Sequence, residues 1–142
     1  MEQNYSTHRQ WVPVYHFILS LIVLATTIGA GINFFKTMGG AGFYSASLIF
    51  VLSLSILITF FLFRAFALKA QDRAIRVEEN FRHFVLTSTP LDSKLTIRQI
   101  IGLRFAADNE FEDLAQKAVT ANMSENDIKK AIKNWKPDTY RV

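Results

Sequence analysis

The sequence contains no cysteine, and few of its residues are types that bind metals or break helices. Disulfides, thiolate nucleophiles and cysteine-ligated metals are therefore excluded. Only three histidines occur in 142 residues, and no two of them have the i, i+3 or i, i+4 spacing of paired helical ligands. Nucleophile-elbow, phosphate-loop and dinucleotide motifs are also absent. The sequence thus predicts no catalytic residue, metal or cofactor, and we expect a protein that is not an enzyme.

Charge is missing from two long stretches of the chain. No Asp, Glu, Lys or Arg lies between Arg9 and Lys36, and none lies between Lys36 and Arg64. The apolar runs inside these stretches are 22 and 21 residues long. At about 1.5 Å per helical residue, each run is long enough for the ~30 Å hydrocarbon layer. We therefore predict two transmembrane helices, over residues 14–35 and 43–66.

The connection between the spans, residues 36–42, is short and rich in glycine, which favours an antiparallel hairpin. A signal peptide is excluded because a second full-length span follows at once. The turn carries one basic residue, whereas the opposite ends of the spans and the segments beyond them carry several: Arg9, Arg64, Lys69, Arg73, Arg76 and Arg82. By the positive-inside rule, both termini should be cytoplasmic, including the N-terminal segment 1–13.

Four side chains are expected to anchor the hairpin at the cytoplasmic membrane interface. Trp11, Tyr15 and Phe66 combine apolar rings with positions at the ends of the spans. Arg64 can extend its guanidinium into the head-group layer. The chain should therefore have the lipid bilayer as its first partner.

The polar residues inside the spans are mild, and no Asp, Glu, Lys or Arg lies within a span away from its ends. Proton relays and ion-coupled transporters usually need an intramembrane charge. A transport role therefore needs several copies around a shared lumen lined by Asn33, Ser47, Ser53 or Ser55. Two small-residue pairs, Ala25-xxx-Gly29 and Thr27-xxx-Gly31, favour close helix packing, above all within the hairpin.

The second helix should continue into the cytoplasm over residues 67–87, because no helix breaker occurs before Thr87. Its apolar residues recur at alternating spacings of four and three, as in a coiled-coil seam. This pattern includes Ala70, Ala74, Val77, Phe81 and Phe84. Two interpretations stay open: the seam packs against a second copy or a partner helix, or the C-terminal segment of the chain covers it. His83 is placed on the polar side of this helix.

Residues 88–142 should form a small helical domain of three short helices. Thr96-x-x-Gln99 predicts a capping box, Asp108 a second cap and Ser124-x-x-Asp127 a third. The third helix is expected to extend through Trp135 until Pro137 stops it. Each helix has one apolar face. Because a unit this small has a thin core, it should pack against the long helix, neighbouring copies or the membrane surface.

A run of basic residues is expected on one face of the third helix: Lys129, Lys130, Lys133 and Lys136. It is either an ordinary solvated face or a docking site for anionic lipid or an acidic partner. The same region has spacings like those of a helix-turn-helix. Glu125 and Asp127, however, would point negative charge at DNA, so nucleic acid is an unlikely partner.

Three segments carry a resemblance that covers nearly the whole chain: QNYSTHRQWVPVYHF, IRQIIGLRFAADNEFEDL and SENDIKKAIKNWKPDTYRV. The most specific parts are Gln3-Asn4-Tyr5 with His8, Pro13-x-Tyr15-His16, Leu103-Arg104-Phe105-Ala106 and Ile128-Lys129-Lys130-Ala131-Ile132. With the two spans, these segments resemble a family of short two-pass bacterial membrane proteins of unknown function, sometimes labelled ABC transporter permeases. The resemblance implies a bacterial cytoplasmic membrane, but no activity, cofactor or catalytic residue.

The sequence as a whole predicts an all-α membrane protein: a hairpin whose second helix extends into the cytoplasm and carries a small helical domain. We expect a scaffold or accessory subunit of a membrane complex that works through homo-oligomers or a membrane-protein partner. The segment Gln3-Asn4-Tyr5 with His8 is too polar to serve only as an anchor. We expect it to dock onto the cytoplasmic helices or onto a partner.

Overall fold

The structure, a computed structural model, describes residues 3–7 and 11–138. Within these ranges it contains helices and one isolated bridge but no strand, so the predicted all-α class is confirmed. The chain divides into two compact units. Residues 11–67 form the first unit, and residues 3–7 and 68–138 are the described parts of the second.

The first unit is a helical hairpin. It begins with a π-helical segment, Val14–Leu19, continues as α1, Ser20–Lys36, and returns as the first part of α2, Phe43–Thr87. α2 contains neither proline nor glycine, the two residues that most disfavour a helix interior. The unbroken helix predicted up to Thr87 is therefore confirmed. Both long helices are apolar enough, over sufficient length, to cross a membrane.

The turn of the hairpin is closed by backbone hydrogen bonds. The N–H of Gly40 donates to the carbonyl of Thr37 at 2.9 Å, and the N–H of Phe43 donates to the carbonyl of Gly40 at 3.1 Å. Gly39 has a φ of 77°, in the left-handed region that glycine enters without a steric penalty. Glycine in the turn thus permits the left-handed backbone conformation at residue 39.

Small residues let the two helices of the hairpin approach each other. A Cβ added at Gly31 would lie 3.3 Å from Cε2 of Phe50, and the ring of Phe34 stacks on the same phenylalanine at 5.3 Å. The packing predicted within the hairpin is therefore confirmed at Gly31. Gly29 has no such neighbour within 4 Å, so the Ala25-xxx-Gly29 pair does not form the same contact.

The second unit packs three short helices against residues 68–87 of α2. These are α3, Ile97–Leu103, α4, Asp108–Thr120, and α5, Glu125–Ala131. The capping box predicted at Thr96 and Gln99 is confirmed, as is the cap in which Ser124 accepts from the N–H of Asp127. The cap predicted at Asp108 is wrong. Ala107 occupies that position, and Asp108 lies in the first turn of α4.

The core of this unit joins all four helices. Leu103, Phe105, Phe111 and Ile128 are fully buried, and Ile75 contributes from α2. The tightest approach is at Gly102, where an added Cβ would lie 3.1 Å from the carbonyl oxygen of Glu125 and 3.2 Å from Cγ2 of Ile128. Glycine is therefore the residue that lets α3 meet the start of α5.

The third short helix ends earlier than its apolar spacing predicts. α5 stops at Ala131, and Ile132 is already extended. Trp135 instead forms a bridge with Ala106 and stacks on Phe105 at 4.8 Å. The backbone groups that leave the helix find partners there, since the N–H of Lys136 donates to the carbonyl of Phe105 at 2.7 Å. The helix predicted through Trp135 is therefore wrong beyond Ala131.

Gly102→Ala should destabilise the second unit by about 1–3 kcal/mol, because the added methyl has no room between α3 and α5. Urea unfolding of the full chain in detergent, followed by Trp135 fluorescence in a Trp11→Phe background, measures the change. Gln116→Ala, at an exposed position of α4, is the matched control and should leave the midpoint in place. An unchanged midpoint for Gly102→Ala would contradict the close packing.

Candidate interaction surface and charged cavity

The seam predicted on α2 is an exposed apolar stripe. We define the apolar stripe as Ala70, Ala74, Val77, Phe81 and Phe84. The side chains of Val77, Phe81 and Phe84 are 69%, 68% and 52% exposed, and both alanines are exposed as well. The described C-terminal helices therefore do not cover the stripe. The interpretation in which the chain's own C-terminal segment buries this seam is therefore wrong for residues 88–138.

The C-terminal helices cover the opposite face of α2, which carries polar as well as apolar side chains. Ile75, Glu79 and His83 are buried there, and they recur every four residues. His83 was expected on the polar side of the helix, but its Nδ1 lies 2.8 Å from the carbonyl oxygen of Thr89 and its ring faces Phe111. Hydrophobic periodicity missed this face because two of these three side chains are polar.

Arg82 joins α2 to the beginning of α4. Its Nε donates to Oδ1 of Asp108 at 2.7 Å, its Nη2 donates to the carbonyl of Ala106 at 2.7 Å, and its Nη1 donates to Oε2 of Glu79 at 3.0 Å. The guanidinium also lies 4.3 Å from the ring centre of Phe111. A planar fork with five donors suits this role, because it can serve several acceptors at once.

Burial shifts the acid–base behaviour of two charged side chains in this unit. Removal from water raises the pKa of Glu79, and the hydrogen bond and charge of Arg82 oppose the shift. Removal from water lowers the pKa of Arg104, and the carboxylate of Asp138 opposes it. Both groups therefore lie where charge is costly unless it is paired.

A cavity of about 470 Å³ lies beside the apolar stripe. Two cations and three carboxylates line it, so its charged side chains have a net charge of −1. These are Arg104, Lys136, Glu78, Glu79 and Asp138. Nη1 of Arg104 lies 3.1 Å from Oδ2 of Asp138, whereas the buried Nε of Arg104 has no hydrogen-bond partner among the described residues. The cavity is therefore a polar site whose carboxylates outnumber its cations.

The N-terminal segment docks beside this cavity. The side-chain amide of Gln3 accepts from the N–H of Asp138 at 2.7 Å and donates to its carbonyl at 3.1 Å, as a neighbouring strand would. Nζ of Lys130 lies 5.8 Å from the ring centre of Tyr5. The docking predicted for this segment is thus confirmed at Gln3 and Tyr5. His8 lies outside the described residues.

The predicted basic face does not form one surface. Lys129 is buried, with Nζ 2.6 Å from Oε1 of Glu125, so its placement on a solvated face is wrong. Its burial is possible because it is paired within the protein. Lys130, Lys133 and Lys136 are exposed. Lys136 lines the cavity, and Lys130 faces Tyr5.

The predicted membrane anchors all belong to the hairpin unit, where the ring of Phe66 is exposed. Tyr15 stacks on Phe60 at 4.5 Å and donates its hydroxyl to the carbonyl of Phe60 at 2.7 Å. Arg64 lies 5.6 Å from the ring centre of Tyr15, while Trp11 is exposed beside His16. Tyr15 therefore also holds the two helices together, a contact that composition alone did not indicate.

The serine hydroxyls of the spans are satisfied by their own helix. Ser47, Ser53 and Ser55 each donate to a backbone carbonyl three or four residues earlier, at 2.7–2.9 Å. Within residues 3–7 and 11–138, no cluster of three His, Asp or Glu side chains could hold a metal ion.

A model of a family of unknown function, DUF6526, matches residues 1–142. The chain belongs to the DUF6526 family. The resemblance to an uncharacterised family is thereby confirmed. No curated protein and no solved structure matches this DUF6526 chain. Function must therefore be argued from the apolar stripe, the cavity and the hairpin.

Glu79 should make the stability of the second unit fall as the pH rises. Its pKa is higher in the folded chain than the value near 4.5 expected on unfolding, so the folded state holds more protons between the two values. The free energy of unfolding should decrease from about pH 4.5 up to the folded pKa and then level off, by about 1.4 kcal/mol for each unit of difference.

Urea unfolding of the wild-type chain and of Glu79→Gln across this range measures the effect. The wild type should lose stability relative to the variant as the pH rises. Parallel profiles for the two proteins would contradict the burial of this carboxyl.

Proposed function

We propose that this DUF6526 protein is a non-enzymatic, two-pass protein of the bacterial cytoplasmic membrane with both termini in the cytoplasm. It serves as a scaffold or accessory subunit of a membrane complex and associates through the apolar stripe of α2. The observation that carries the proposal is the exposure of Val77, Phe81 and Phe84 on one face of a helix. Contiguous exposed apolar surface of this kind marks interaction sites.

The hairpin supports the membrane part of the proposal. Most of its large apolar side chains are exposed around both helices, which is costly in water and favourable in lipid. The backbone groups of the spans are paired within the helices, as a bilayer requires. The basic residues outside the spans support the orientation.

The spacing of the stripe supports self-association. Alternating steps of four and three place its side chains on a seam that a second, identical helix can match. Copies in one membrane share the same orientation, so their α2 helices run parallel. A second copy therefore presents a matching stripe, whereas any other partner would need a complementary sequence of its own.

The alternatives have less support from the same surfaces. For a multi-copy pore, the serine hydroxyls would have to serve a lumen, but they are bonded to backbone carbonyls. For a nucleic-acid binder, α5 would have to present basic side chains. Its first turn carries Glu125 and Asp127, and Lys129 is buried.

Phe81→Gln should weaken self-association roughly 10- to 100-fold, because each copy loses the burial of one large apolar side chain. Glutamine is a good helix former, so α2 itself should persist. Energy transfer between labelled copies of the full chain in lipid vesicles, measured against protein density, reports the affinity. Arg76→Gln, exposed on α2 outside the stripe, is the control and should associate like the wild type. Equal affinity for Phe81→Gln would refute the proposed role of the stripe.

The proposed orientation predicts opposite labelling of two introduced cysteines. Met38→Cys in the turn should react with a membrane-impermeant maleimide on intact spheroplasts, whereas Ser93→Cys should react only after lysis. Both positions are exposed in the structure, so access depends on the membrane side and not on burial. Labelling of Ser93→Cys before lysis, with Met38→Cys protected, would reverse the topology.

A further inference from the structure

The residues that border the apolar stripe differ in charge on its two sides. In a heptad register with Ala74 and Phe81 at position a, Val77 and Phe84 lie at position d. The e positions then hold Gln71 and Glu78, and the g positions hold Arg73 and Asn80. One border of the stripe is therefore acidic, and the other is basic.

The acidic border opens onto the cavity. Gln71, Ala74 and Glu78 all line it, so the cavity lies along the e side of the stripe. Of its three carboxylates, Glu79 is paired with Arg82 and Asp138 with Arg104, whereas Glu78 has no ion pair among the described residues. A cationic side chain brought along the stripe would therefore find the carboxylate of Glu78 at the edge of the cavity.

Arg73 and Glu78 are exposed, and neither forms an ion pair within residues 3–7 and 11–138. Other charged groups of the same unit are paired, including Glu79, Arg82, Arg104 and Lys129. Arg73 and Glu78 are thus exposed charges that remain available to a partner on opposite borders of the stripe.

We infer that a second copy of the chain packs parallel and in register along the apolar stripe, with Arg73 of each copy paired to Glu78 of the other at the edge of the cavity. The inference rests on the proposed self-association and specifies its geometry. In a parallel two-stranded coiled coil, a g residue meets the e residue five positions later in the partner helix. Arg73 and Glu78 have this separation.

The charges disfavour the opposite arrangement. An antiparallel pair would bring e positions against e positions, so Glu78 of one copy would face Gln71 or Glu78 of the other. It would also bring g against g, which leaves Arg73 without a carboxylate. The alanines at positions 70 and 74 permit close approach of the helices at the level of Arg73.

The absence of cysteine from the chain allows a direct test of the register. Val77→Cys places two thiols across a parallel d layer, where Cα atoms come near enough for a disulfide. Mild oxidation of the full chain in membranes should then give a covalent dimer. Arg76→Cys, which points away from the seam, is the matched control and should stay monomeric.

Charge reversal in the Val77→Cys background tests the ion pair. Arg73→Glu alone and Glu78→Arg alone each place like charges at both symmetric contacts. Each should slow disulfide formation roughly three- to tenfold. The double variant Arg73→Glu with Glu78→Arg restores opposite charges and should recover the wild-type rate. Both positions are exposed, so the fold of each copy should persist, which circular dichroism would check.

The outcomes separate the inference from the proposed function. If Val77→Cys dimerises but the double variant stays as slow as the single ones, the stripe self-associates and the Arg73–Glu78 pair is refuted. If Arg76→Cys crosslinks as fast as Val77→Cys, the register is refuted. If neither position crosslinks, the parallel in-register arrangement is refuted, and the energy-transfer measurement decides whether self-association fails as well.

Discussion

The arrangement of the second unit depends on the contacts of one half-buried guanidinium. Arg82 reaches from α2 to Glu79, Asp108 and the carbonyl of Ala106, and its flat face covers Phe111. A charge in this position is tolerated only if its donors are satisfied, so the start of α4 must lie against this face of α2. The position of α4 in turn fixes α3 and α5 through their shared core. Because the three short helices pack on this face of α2, the apolar stripe on the opposite face remains exposed.

Much of the fold follows from patterns that a sequence displays locally. The long uncharged stretches predict the two apolar helices, and the absence of Pro and Gly predicts the continuity of α2. A side-chain cap depends on residues three positions apart, so the sequence correctly predicts that Thr96 and Ser124 cap their helices. The apolar stripe, too, is a matter of spacing along one helix. In each case the residues that decide the structure are near neighbours in the chain.

The features that the sequence did not predict depend on partners far along the chain or on alternative backbone pairing. His83 is buried because Thr89 and Phe111 receive it, and Glu79 is buried because Arg82 compensates part of the cost. Trp135 has helical spacing, yet it pairs with Ala106 and stacks on Phe105. Lys129 resembles a surface lysine until its ion pair with Glu125 is known. The charged cavity is lined by residues of α2, by Arg104 and by residues 136–138, so no single segment of the sequence predicts it.

The docking of Gln3 has a consequence for biosynthesis. Its amide binds the backbone of Asp138, a residue 135 positions later in the chain. While the ribosome makes the intervening residues, both long apolar helices emerge, but the partner of Gln3 does not yet exist. Gln3 therefore cannot form these hydrogen bonds until the C-terminal helices and Asp138 have been synthesised. The contact between Gln3 and Asp138 is thus among the last to form, after the whole hairpin has been synthesised.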